Sequence, residues 1–133
     1  MGETDISDAS RPIKKTEREL AAEKGVQFIE IPVAYDGLSI LVNPKSNFVT
    51  SITVEELKSI WRPENPAKKW SEVRKGWPDR EIHLYGPGTD SGTFDYFTEV
   101  ICGKEKASRS DYTASEDDNV LVKGISGDID SLG

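Results

Sequence analysis

The chain has 133 residues, of which 35% are hydrophobic and 31% are charged, enough for one modest domain with a core. Seventeen basic against 24 acidic residues give a net charge of -7, which disfavours nonspecific binding to nucleic acid. One cysteine and one histidine exclude an internal disulfide and a Cys/His zinc cluster, and no apolar run approaches membrane-spanning length. We expect no cofactor and assign no metal site.

Two capping-box patterns, in which a threonine is followed three residues later by a glutamate, predict the starts of two helices. The first begins at Thr16 and predicts a helix over about residues 17–24, ended by Gly25. The second begins at Thr53 and predicts a helix over residues 54–61. The inner face of this second helix would carry Leu57, Ile60 and Trp61.

Strands are predicted between and after these helices. Residues 26–33 are rich in β-formers, although Pro32 disfavours a central position in a sheet. Residues 38–44 are almost continuously apolar, which predicts a strand buried on both faces. Residues 81–85 alternate, which predicts a short strand with His83 on its polar side. Strands alternating with helices indicate an α/β fold.

A glycine loop follows the last of these strands. Residues 86–93 hold three glycines and four hydroxyl or carboxyl side chains, and the next residues predict a helix because Phe94, Phe97 and Ile101 share one helical face. Ser91, Gly92 and Thr93 therefore lie at a predicted helix N-terminus, where free amides and the helix dipole attract anions. The loop lacks the lysine of a nucleotide P-loop, and a merely well-capped helix remains an alternative.

The remaining elements are predicted from local signals. Trp70 and Trp77 lie in a proline-rich stretch and predict a satellite cluster under a long loop. The run Ser115–Asp118, with three acidic residues, opens a last helix, about residues 117–123, which Gly124 would end. Residues 124–133 contain no closing element.

Five stretches of the chain together carry a family resemblance. They are Ala9–Ile13, Ile31–Leu38, Leu57–Trp61, Tyr85–Phe97 and Ser115–Val122. In order and spacing they resemble the phosphate-binding proteins of high-affinity bacterial phosphate ABC transporters. The Gly-Ser-Thr block and the Ser-Glu-Asp-Asp-Asn block make the resemblance specific.

The resemblance implies a periplasmic-binding-protein type II-like α/β lobe with a mixed sheet flanked by helices, truncated at both ends. Members of this family bind phosphate between two lobes. Residues 1–33 would be the tail of lobe one leading into the hinge, and residues 34–133 would be most of lobe two. The signal segment would lie outside this chain.

Carried over by position, the resemblance implies a set of phosphate-binding residues. Ser91, Gly92 and Thr93, with the adjacent Asp90, match the contacting loop, and Ser10 and Arg11 match a second contact region. Arg109 is a further candidate, with a surface arginine as the alternative. Some members have an aspartate near the position of Ser10 and an arginine at the position of Pro87. The acceptor for the phosphate proton is therefore left open among Asp8, Asp36 and Asp90.

The function that this resemblance implies is transport rather than catalysis. The protein would capture inorganic phosphate outside the cytoplasm, in the periplasm or as a cell-surface lipoprotein, and deliver it to a permease and ATPase complex. The fragment alone would bind phosphate weakly or not at all and could self-associate. Two other classes stay open: a phosphatase or phosphoryl-transfer domain, and an adhesion or scaffold module that keeps the fold without the ligand.

Overall fold

The structure, a computed structural model, describes residues 4–9 and 11–133. The chain divides into two compact units, Met1–Gly37 and Leu38–Gly133. The assignment of residues 1–33 and 34–133 to two lobes stays a prediction.

The first unit contains helix α1, Lys15–Glu23. The predicted capping box at Thr16 and Glu19 is wrong, because the backbone N–H of Lys14 donates to Glu17 Oε2 at 2.9 Å and the helix starts one residue before Thr16. The predicted stop is confirmed, since Gly25 has a positive φ of 68° just after the helix.

No strand forms over residues 26–33 in the described part of the chain. The side chains of Ile29 and Val33 are 87% and 91% exposed. The β-propensity of this stretch predicted a strand, but a strand also needs a neighbour to pair with its backbone.

The second unit is built on a three-stranded parallel sheet in the order β2-β1-β3. These strands are β1 (His83–Gly86), β2 (Thr113–Ala114) and β3 (Ser131–Leu132). The central strand β1 pairs Tyr85 with Thr113 on one side and Leu84 with Leu132 on the other. The predicted strand after residue 80 is confirmed, and so is the α/β class.

The apolar stretch 38–44 makes only an antiparallel bridge between Val42 and Leu132. Burial on both faces was a wrong expectation, since Leu38 and Leu41 are exposed. The expectation that residues 124–133 add no closing element was also wrong, because this segment supplies β3.

Helices cover this sheet and supply the core. Helix α2, Val54–Trp61, is confirmed with its cap: Thr53 Oγ1 accepts from Glu56 N at 3.2 Å, and Thr53 N donates to Glu56 Oε2 at 2.8 Å. A short helix α3, Trp70–Val73, follows. Trp70 is fully buried in the main core, where it meets Phe48 and Trp77 edge to face. It is not part of a satellite cluster.

Helix α4, Gly92–Phe97, leads into a π-helical turn, Thr98–Cys102, and together they connect β1 to β2. Helix α5, Asp118–Gly127, connects β2 to β3. Gly124 was predicted to end α5 but lies inside it, beside the ring of Tyr85. A glycine here allows the close packing of α5 on β1.

We predict that Gly124→Ala destabilises the protein by about 1–3 kcal/mol, because its Cβ would lie 2.3 Å from Tyr85 Cε1. Gly127→Ala in the same helix is the matched control: its Cβ meets nothing within 4 Å. Urea unfolding should show a lower midpoint for the first variant only. Equal midpoints would show that the Tyr85 ring moves aside at no cost.

Candidate anion-binding site

The glycine loop begins where the central strand β1 ends. Gly86 is the last residue of β1, and a Cβ there would lie 3.2 Å from Trp61 Cη2 and 3.3 Å from Tyr112 Cε2. Its carbonyl oxygen accepts from Ser115 N at 3.0 Å, and Tyr112 Oη donates to the Pro87 carbonyl at 3.0 Å. The loops after β1 and β2 therefore meet at the carboxyl edge of the sheet, where ligands of open α/β sheets bind.

Ser91 caps helix α4, so the helix N-terminus lies within residues 91–93 as predicted. Its Oγ accepts from Thr93 N at 3.1 Å, and its carbonyl accepts from Asp95 N at 3.2 Å. The apolar face that predicted the helix is buried, namely Phe94, Phe97 and Ile101. The local sequence thus sets both the start and the orientation of this helix.

The π-helical turn after α4 was not predicted. The hydroxyl of the fully buried Thr98 donates to the carbonyl of Phe94 at 2.8 Å and accepts from Lys106 N at 2.8 Å. A threonine hydroxyl bonded to the carbonyl four residues earlier bends a helix. Gly103, with a positive φ of 86°, follows the turn.

The three amides predicted to converge on an anion are not equally free. Ser91 N donates to the Gly88 carbonyl at 3.1 Å, and Thr93 N donates to Ser91 Oγ. Among the described residues, no protein acceptor bonds to Gly92 N or to the Thr93 hydroxyl. Gly92, Thr93 and Asp90 are exposed. The Gly92 amide and the Thr93 hydroxyl are therefore the groups that the loop presents for a ligand.

Arg109 is buried, with 8% of its surface exposed, so the alternative of a surface arginine was wrong. Its Nη1 donates to the carbonyls of Ile60 and Ala67 at 3.2 and 2.9 Å. Its Nε and Nη2 donate to the two carboxylate oxygens of Asp111 at 2.5 and 2.7 Å. This arginine joins the end of α2 to the segment before β2. Its role as an anion ligand stays a prediction. The contacts with Ile60, Ala67 and Asp111 argue against that role, because they already engage the guanidinium.

Arg11 lies in the first unit and forms a two-pronged ion pair with Glu17, at 2.8 and 2.9 Å. The hydrogen bond from the Arg11 side chain lowers the pKa of the Glu17 carboxyl to about 2. The guanidinium fork is thus engaged with a carboxylate, the geometry that it would also use for phosphate. Ser10, the other residue predicted in this region, lies outside the described residues, and both ligand roles stay predictions.

Sequence reasoning missed the contribution of the residues on either side of β2. Tyr112 packs against Trp61 and holds the Pro87 carbonyl, and Glu116 lies against Gly88. The run at residues 115–118 was interpreted only as a helix start. This start is confirmed, because Asp117 Oδ1 accepts from Asn119 N at 2.9 Å and so caps α5. No local signal indicates the contact between the two loops, because it depends on the pairing of β1 with β2.

Comparison with known proteins gives one family and close relatives. A family model described as "PBP superfamily domain" matches residues 1–129. Protein SphX of Synechocystis is 52% identical over 99% of this chain and 40% of its own length. The phosphate-binding protein PstS of Staphylococcus epidermidis is 37% identical over 99% of this chain and 39% of its own length. The chain therefore spans about 40% of the length of these curated relatives.

Two solved structures resemble the fold. A possible phosphate binding protein from Planctomyces limnophilus has a TM-score of 0.77 and 52% identity, covering 94% of this chain and 44% of that one. An ABC-type phosphate transport receptor from Vibrio cholerae has a TM-score of 0.59 at 22% identity, covering 74% of this chain and 40% of that one, and supports the fold alone. Within the described residues, none of the helices has the length and apolar character that crossing a bilayer requires.

We predict that Arg109→Met lowers the free energy of unfolding by about 2–4 kcal/mol, because the buried carbonyls of Ile60 and Ala67 lose their donor. Arg62→Met is the control, since Arg62 makes one exposed bond to the Asn65 carbonyl and should matter little. Urea unfolding measures both. Equal small losses would mean that water or a neighbouring donor replaces the guanidinium.

Stability should fall in acid partly through Asp111. The hydrogen bond from the Arg109 side chain lowers the pKa of Asp111 from 3.8 to about 2. A carboxyl whose pKa is lower in the folded state stabilises the protein above its unfolded pKa, and this contribution is lost as pH falls from about 4 to about 2. Asp111→Asn should therefore be less stable than wild type at neutral pH and lose less stability over that acid interval. Unfolding curves at stepped pH, with Glu64→Gln as the control, test this; parallel pH profiles for wild type and Asp111→Asn would contradict it.

Proposed function

The chain belongs to the PBP superfamily, and on that premise we propose that it is the phosphate-binding part of a solute-binding protein. Support comes from the named relatives, which include a phosphate-binding protein that is 37% identical and a solved possible phosphate binding protein that is 52% identical. Because the chain spans about 40% of its curated relatives, the activity proposed is that of the whole protein to which it corresponds.

The observation that carries this proposal is the start of α4 at the carboxyl edge of the parallel sheet. Here the Gly92 amide and the Thr93 hydroxyl, both exposed, lack a protein acceptor within the described residues. Amides and hydroxyls at a helix start bind oxyanions through hydrogen bonds and the helix dipole without a basic side chain. Such a site is compatible with the net charge of -7 because the local field decides binding of a small ion.

Ser91 plays a supporting role in this proposal. Its Oγ already accepts from Thr93 N, which fixes the backbone of the first turn. The hydroxyl hydrogen of Ser91 stays available as a donor, because a hydroxyl can donate while it accepts. The loop would then offer the ligand one amide and two hydroxyl donors. Ligand roles for Ser10, Arg11, Asp90 and Arg109 remain part of the prediction.

The physiological role proposed for the whole protein is phosphate uptake. The protein would work outside the cytoplasm, bind inorganic phosphate and deliver it to the permease and ATPase of an ABC transporter. No catalytic step is proposed. A colorimetric assay for phosphate release from phosphate esters would detect the competing phosphatase function directly.

We predict that Thr93→Ala weakens phosphate binding by roughly tenfold to a hundredfold in the full-length gene product, because one donor to a charged ligand is lost. Ser110→Ala is the control, since Ser110 is exposed and lies on a different loop. Titration calorimetry of phosphate gives both dissociation constants.

Wild-type protein that gives no phosphate heat would overturn the proposed function. Phosphate binding that is unchanged by Thr93→Ala would instead remove this loop from the site.

A further inference from the structure

We draw no further inference here: the strongest candidate, the run of exposed apolar side chains at Ile29, Ile31 and Val33 in the first unit, carries none because nothing in the structure shows what covers it.

Discussion

The parallel pairing of β1 on both of its edges positions everything else in the second unit. Tyr85 and Gly86 pair with β2, and His83 and Leu84 pair with β3, so β1 is central. Its carboxyl end becomes the glycine loop, and the carboxyl end of β2 becomes the loop that carries Glu116. The two loops can meet only because these strands are adjacent and run the same way. Packing of Trp61 and Tyr112 around Gly86 then fixes the residue at which the glycine loop leaves β1.

Elements whose signals lie within a few residues were predicted well. Helix α2 begins after Thr53 because the side chains of Thr53 and Glu56 each accept a hydrogen bond from the other residue's backbone N–H. An apolar face follows and continues the helix. The start of α4 at Ser91 follows from similar local chemistry. Strands were predicted less well: residues 26–33 and 38–44 have the composition of strands, but in the first case no strand is assigned and in the second only one bridge forms. Strand formation depends on partners elsewhere in the chain, which composition does not specify.

In the candidate site, too, features with local sequence signals were predicted and features that depend on distant residues were not. The sequence placed Ser91, Gly92 and Thr93 at a helix start, but it did not show that Thr93 N is already bonded to Ser91. It treated Arg109 as a choice between ligand and surface residue, whereas the structure places it inside the protein, bonded to two carbonyls and to Asp111. The Thr93–Ser91 bond is local, whereas the contacts of Arg109 depend on long-range packing. Burial of Arg109 requires the end of α2 and the segment before β2 to come together.

The bridge at the edge of the sheet has a consequence for how this unit can be joined to other polypeptide. Leu41 N donates to the Gly133 carbonyl at 2.6 Å, and Gly133 N donates to the Leu41 carbonyl at 2.9 Å. The entrance and the exit of the second unit therefore lie side by side, as in domains that tolerate insertion into a host chain. Any segment attached at Gly133 would leave beside the one that enters at Leu41. Both connections would therefore lie at one edge of the sheet, beside β3, and leave the pairing of β1 with β2 untouched.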